Sequence, residues 1–219
     1  LGHARPDAHA VEPGFFGAVV GRYANRLGRS RFTLDGITHA VQPNEGANQL
    51  HGGPDGFDLR VWTVRSLGTW HAQLALQSPA GDQGYPGALE AQVTVRLDPE
   101  GCCVHVQFHA QCSAPCPVNL TYHPYFNLDG TAEPVLNHTL QVAAQQMLPV
   151  APDMIPTGEV APVAGTAFDL TSPRRVGERL GDGLQQQRGH GYDHCFVLDD
   201  AAARGEAAAA TLTASEIGR

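Results

Sequence analysis

Glycine and proline interrupt this chain from end to end: 25 Gly and 16 Pro are spread through 219 residues rather than gathered into linkers. Glycine supplies the left-handed backbone that tight turns need, and proline fixes φ and removes a ladder donor. Punctuation at this density suits many short strands joined by turns. Between the breaks the apolar residues alternate. Leu89, Ala91, Val93, Val95 and Leu97 fall on one face of a strand, and Val118, Leu120 and Tyr122 oppose Asn119, Thr121 and His123. Further strands are predicted over Val61–Leu67, Trp70–Gln77, Cys102–His109, Thr139–Val150 and Cys195–Leu198. Ala207–Leu212 is read as a strand in spite of its alanines. Asp35-Gly36 between two such runs is a hairpin signal, because a type I′ turn needs positive φ at both central residues. Ala151–Leu170 is too rich in Pro and Gly for a long helix. No repeat or low-complexity linker divides the chain, so residues 1–219 read as a single all-β domain, an antiparallel β-sandwich.

Composition narrows the function classes. Hydrophobic residues make up 42% and charged residues 16%, which fits a globular chain with a real core. A net charge of −8 argues against a nucleic-acid surface or an anionic membrane partner and leaves a neutral small molecule open. No apolar run is long enough to span a bilayer. The five cysteines, Cys102, Cys103, Cys112, Cys116 and Cys195, are odd in number and unevenly placed, which favours reduced thiols in a cytoplasm over a disulfide framework.

Two groups of residues carry chemistry. His123 ends an alternating run and is followed by Pro124, which confines the residue before it to extended backbone. An imidazole at a strand end, flanked by hydrogen-bonding groups, is well placed to exchange a proton with a ligand. The other group is Cys102, Cys103, His105, His109, Cys112 and Cys116. Cysteine and histidine are zinc ligands, but no Cys-x₂-Cys pair is present, and adjacent cysteines on a strand face opposite sides. No metal is therefore expected.

Five stretches resemble the aldose 1-epimerase (galactose mutarotase) family, in the family's order. They are Gly21-Arg22-Tyr23-Ala24-Asn25-Arg26-Leu27, Asn48-Gln49-Leu50-His51-Gly52-Gly53 with Gly56-Phe57-Asp58 after it, Thr121-Tyr122-His123-Pro124-Tyr125-Phe126-Asn127-Leu128-Asp129-Gly130, Ile155-Pro156-Thr157-Gly158-Glu159, and Gly191-Tyr192-Asp193-His194-Cys195-Phe196. Tyr122 and Pro124 stand where the family often has Asn and Ser. The resemblance implies a large twisted sandwich, a galactose mutarotase-like supersandwich, of which this chain would be the central part, lacking strands at both ends. An isolated chain of that kind is expected to aggregate or be unstable, with sheet edges and apolar core exposed.

The implied activity is interconversion of the α and β anomers of a hexose such as galactose or glucose, with no metal or organic cofactor. By resemblance His123 is the general acid that protonates the ring oxygen, and His51 sits beside the same oxygen. Asn25, Arg26 and Asp193 bind sugar hydroxyls. Arg offers five donors and an ionised Asp only acceptors, so both suit that task. The family's general base is a Glu far toward the C-terminus, in a Leu-Glu-Thr-Gln-like context. This chain reaches only Ile217-Gly218-Arg219, so the base is expected to lie outside it. Leu89-Glu90-Ala91-Gln92 imitates that context but belongs to an ordinary strand. Two other readings compete: a non-catalytic carbohydrate-binding module on the same fold, and an epimerase of phosphorylated sugars. The second gains nothing from 14 Lys and Arg against 22 Asp and Glu.

Overall fold

In the computed structural model of the chain, Gly2, Arg5, Ala8 and residues 14–215 are described. The resemblance at Ile217-Gly218-Arg219 lies outside them. The chain divides into two compact units, Leu1–Tyr125 and Phe126–Arg219. Strands dominate both, and every ladder between named strands is antiparallel.

The first unit holds β1 (Ala18–Val20), β2 (Arg26–Leu27), β3 (Arg31–Leu34), β4 (Ile37–Ala40), β5 (Gln49–Leu50), β6 (Thr63–Leu67), β7 (His71–Ser78), β8 (Leu89–Asp98), β9 (Cys103–Cys112) and β10 (Thr121–His123). Its largest sheet has the order β6-β7-β8-β9. The alternation read in β8 holds over its first half: Leu89, Ala91 and Val93 are buried, and Leu89 and Ala91 join Phe57 and Leu76 in a core on which Trp62, Cys112 and Leu120 pack, whereas Val95 is half-buried and Leu97 exposed. The β3–β4 hairpin closes through Asp35 (φ 50°) and Gly36 (φ 77°), as a type I′ turn requires.

The strand expected over 118–123 is shorter than its alternation suggested. Only Thr121–His123 pairs with β1, and Val118 and Tyr122 are exposed. The backbone before Thr121 is occupied elsewhere. Ala24 N–H donates to Asn119 O at 2.8 Å, Asn119 N–H donates to Arg22 O at 3.1 Å, and the Asn119 amide donates to Ala24 O at 3.2 Å. The segment is therefore stitched to residues 22–24 rather than continued along the β1 ladder.

The second unit holds β11 (Thr139–Val142), β12 (Gln146–Met147), β13 (Ala161–Pro162), β14 (Arg174–Arg175), α1 (Gly183–Arg188), β15 (Phe196–Val197), α2 (Asp200–Ala203) and β16 (Ala210–Thr213). Two three-stranded sheets form, β14-β11-β16 and β13-β12-β15. The run Thr139–Val150, expected as one strand, is split between them. Ala143 N–H donates to Ala209 O at 2.9 Å and Ala144 N–H turns back to Val142 O at 2.9 Å, so the chain leaves one sheet before entering the other. Tyr192 and Phe196 pack against both apolar clusters of this unit, one around Phe168 and one around Leu170. The strand reading of the alanine-rich stretch holds in β16, which pairs with β11. The ladder with β11 outweighs the weak intrinsic helix preference of alanine, since three of the four residues of β16 are exposed.

Candidate active site

β2 and β5 pair with Arg26 opposite Leu50, so Asn25 and His51 meet at the end of that ladder. His51 N–H donates to Asn25 O at 3.1 Å. The return bond is diverted: Asn25 N–H donates to the His51 ring nitrogen Nδ1 at 3.0 Å. Both residues have left-handed backbone, φ 67° at Asn25 and φ 53° at His51. Asn25 tolerates it because its own Oδ1 accepts the next amide, Arg26 N–H, at 2.9 Å. Behind His51 the backbone passes so close to Gly21 that a Cβ on Gly52 would lie 2.0 Å from Gly21 O, and Gly52 has φ 93°. That is the reason for glycine at this place in the Leu50-His51-Gly52-Gly53 motif.

β10 brings His123 to the same place. Its ladder partner is Ala18, and Gly17 N–H donates to His123 O at 2.9 Å. The imidazoles of His51 and His123 meet edge to face, with ring centroids 5.6 Å apart and planes at 89°. Three aromatic rings frame them. Phe15 lies 4.7 Å from His51 and 6.0 Å from His123, centroid to centroid, Tyr125 stacks on His123 at 4.9 Å, and Phe16 packs on Tyr125 at 4.6 Å.

Arg26, the first residue of β2, is fixed by a carboxylate that the sequence reading did not single out. Nε donates to Glu45 Oε2 at 2.6 Å and Nη2 to Glu45 Oε1 at 2.8 Å, a bidentate pair whose Arg side chain is only 13% exposed. Thus His51, His123, Asn25 and Arg26 are gathered in one unit. Asp193 belongs to the other unit, where it is exposed just before β15, beside His194. Glu90 is engaged on its own sheet: hydrogen bonds from Gln77 and then from Gln92, whose Nε2 donates to its Oε1 at 3.1 Å, hold its carboxyl below the usual range.

Arg22, in the same motif as Arg26, turns out to be structural. It is 2% exposed, and its Nη1 donates to Pro86 O at 3.1 Å and Gly87 O at 2.9 Å while Nη2 donates to Ser78 Oγ at 2.6 Å and Pro79 O at 3.1 Å. The guanidinium also lies 5.5 Å from the Tyr85 ring centre. It ties the strand leading to the site to the loop between β7 and β8. Asp82 on that loop feels burial, which raises its pKa, but bonds from Arg60 and Ser78 and the charge of Arg22 outweigh burial and hold it below the usual carboxylate range. No spacing rule flags Arg22 as buried, since arginine ordinarily marks surface. Phe15 and Glu45 were equally unmarked, 36 and 6 residues from His51 with no period to connect them.

The sequence model of the family described as "Aldose 1-epimerase" matches residues 1–218. The chain is 43% identical over 198 residues to the aldose 1-epimerase of Escherichia coli (strain K12), covering 90% of this chain and 57% of that protein. It is 44% identical over 201 residues to the galactose mutarotase of Rattus norvegicus, covering 91% of this chain and 57% of the relative. The crystal structure of galactose 1-epimerase from Lactobacillus acidophilus NCFM superposes with a TM-score of 0.86 at 34% identity, over 98% of this chain and 63% of that one. The chain thus spans little more than half the length of the curated relatives it matches. Its fold is the all-β, galactose mutarotase-like sandwich of these structures. The chain belongs to the aldose 1-epimerase family.

Proposed function

We propose that the protein is an aldose 1-epimerase that interconverts the anomers of a hexose such as galactose or glucose. The observation that carries this reading is the edge-to-face pair of His51 and His123, 5.6 Å apart and framed by Phe15 and Tyr125. In the forward step a base takes the proton of the C1 hydroxyl, the carbonyl forms, and the bond from C1 to the ring oxygen breaks. The electron pair left on that oxygen takes a proton from His123. Rotation about C1–C2 and the reverse sequence close the ring on the other face. A positioned proton donor contributes about 10²–10⁴-fold to such a step. His51 sits against the same oxygen. Arg26, its plane set by Glu45, and Asn25 and Asp193 contact hydroxyls. The reaction needs neither metal nor organic cofactor, and the partner is a neutral sugar rather than nucleic acid or membrane. Among the described residues no helix is long and apolar enough to cross a membrane. Five thiols without a disulfide suit a reducing compartment, the cytoplasm.

The binding-module reading is disfavoured because relatives 43–44% identical are named as enzymes. Polarimetry of the full-length parent protein on freshly dissolved α-D-galactose and α-D-glucose decides. Faster approach to rotational equilibrium than in buffer is expected, and sugar binding with no acceleration would favour the module.

A further inference from the structure

We infer that Cys112 and Cys116 are a redox-active pair, which peroxide closes into a disulfide and a thiol reopens, so that both are spared irreversible oxidation. The two side chains converge on the first residues of β8. Cys112 ends β9, where its ladder partner is Leu89, and it packs on the core of Phe57, Leu76, Leu89 and Ala91. Ser113 N–H donates to Ala88 O at 2.9 Å and Ala88 N–H donates to Ser113 Oγ at 2.8 Å, so the chain stays pinned beside β8 as it leaves the strand. Ala114 presses on the residue before that, since a Cβ on Gly87 would lie 3.0 Å from Ala114 N. Cys116 comes back to the same place. Arg22 Nη1 donates to its Sγ at 3.5 Å, and the same nitrogen donates to Pro86 O at 3.1 Å and to Gly87 O at 2.9 Å. The two thiols thus lie within hydrogen-bonding reach of each other. Both are half-buried, whereas Cys102, Cys103 and Cys195 are exposed. His105 and His109 fall on the opposite face of β9 from Cys112 by strand alternation. The pair is therefore one of sulfur alone, and neighbouring thiols in a tight turn close to a disulfide with little movement.

Burial holds the Cys116 thiol above its usual pKa, against the pull of the Arg22 guanidinium. The first attack therefore falls to Cys112. Its thiolate attacks one oxygen of the peroxide, the O–O bond breaks, and the leaving hydroxide takes up a proton to become water. Cys112 is then a sulfenic acid. Cys116, its thiolate stabilised by the adjacent Arg22, attacks that sulfur. The S–O bond breaks, the S–S bond forms, and the oxygen leaves as water with the proton that Cys116 gave up. The two thiols have lost two electrons and two protons, and one hydrogen peroxide has become two waters. A dithiol returns both electrons by exchange at sulfur. Neither cysteine takes part in the anomer interconversion proposed above, so the pair stands or falls separately from it.

Differential alkylation of the full-length parent protein tests the pairing. Native protein is exposed to graded hydrogen peroxide and its free thiols are blocked with N-ethylmaleimide. Thiols released by dithiothreitol are then labelled with iodoacetamide and located by tandem mass spectrometry. The second label is expected on Cys112 and Cys116 together and in equal amount, with a loss of two hydrogens before reduction and return of both thiols after it. Label on neither, label on one without the other, or conversion of either to sulfinic acid before any disulfide forms overturns the inference. A Cys116→Ser variant keeps an acceptor for Arg22 and removes the second thiol. With dimedone present during exposure, Cys112 of that variant is expected to accumulate the sulfenic-acid adduct, which wild-type protein loses to the disulfide. Equal adduct in the two proteins overturns the part given to Cys116. Should the variant not fold, the wild-type labelling decides by itself.

Discussion

Histidines are locked in both units, and the locks serve different ends. In the first unit the His51 ring accepts Asn25 N–H and remains partly open, beside His123. In the second, His138 is 1% exposed and its Nε2 accepts Leu128 N–H at 2.9 Å. Its proton therefore sits on Nδ1, 3.8 Å from Asp129 Oδ2, and Asp129 in turn accepts Ser215 N–H at 3.0 Å. His194 donates from Nε2 to the Gln185 amide oxygen at 3.0 Å, leaving Nδ1 buried. An imidazole fixed by a backbone or amide group becomes a chemical group only where its second nitrogen reaches a ligand. Where burial closes off that nitrogen, the same bond is a cross-link. Identical residue types, even within the family motifs, are thus held by similar bonds at different depths, and in both His138 and His194 the Nδ1 nitrogen is buried without a hydrogen-bond partner among the described residues.

That division makes opposite demands on mutants. His123→Ala is expected to lower kcat by about 10²–10⁴-fold, with a smaller change in sugar affinity, because a proton donor acts in the transition state. Its thermal midpoint should stay near wild type, the ring being only partly buried at a strand end. Polarimetry and calorimetry on one preparation test both halves, and a variant that loses stability but not turnover would put His123 among the cross-links. His138→Ala should behave in reverse. It orphans Leu128 N–H and empties a fully buried site, costing about 2–4 kcal/mol in urea unfolding while activity per folded molecule persists. Gly52→Ala falls between the two. Its new methyl meets Gly21 O at 2.0 Å, so a loss of about 1–3 kcal/mol should come together with a fall in activity, as relief of the clash moves His51. Unchanged turnover in that variant would show that the His51 turn is not tightly held.

Local signals were legible in the sequence, and long-range pairings were not. Asp35-Gly36 fixes its turn through the φ of two adjacent residues, and β8 declares its buried face by a period of two, so both could be read directly. His51 and His123 stood out through the residues around them. The pairing of Arg26 with Glu45, 19 residues on, depends on how β2 and β5 meet, which no local pattern encodes. Asn119 misled for the same reason: its alternation is that of a strand, yet its hydrogen bonds go to residues 22 and 24. Helix α1 left no signal at all. It is six residues long, begins with Gly183 and lacks an apolar stripe. It is held from outside, since Gln185 Oε1 accepts Val150 N–H at 2.9 Å and Arg188 Nη1 donates to Val150 O at 2.6 Å.

The finest test of the contrast is the pH dependence of stability at His194. Burial holds its pKa below the usual histidine value, and the neighbouring Asp193 carboxylate offsets only part of that. In the unfolded chain the same imidazole titrates at about pH 6.5. Below that pH the unfolded chain binds a proton that the folded chain does not, so the slope of unfolding free energy with pH is positive there. The contribution of His194 to stability is therefore complete above about pH 6.5 and is lost as the pH falls toward its depressed folded value. The physical cause is visible in the geometry. With Nε2–H spent on Gln185, a second proton must go onto Nδ1, which is buried without a hydrogen-bond partner among the described residues. His194→Gln removes the titration. Urea midpoints measured from about pH 7.5 down to about pH 5 should fall less steeply for the variant than for wild type. Other histidines titrate in both proteins, so the difference between the two slopes isolates this one. Parallel slopes would mean that Nδ1 is hydrated, and His194 would then resemble the open histidines of the first unit rather than His138.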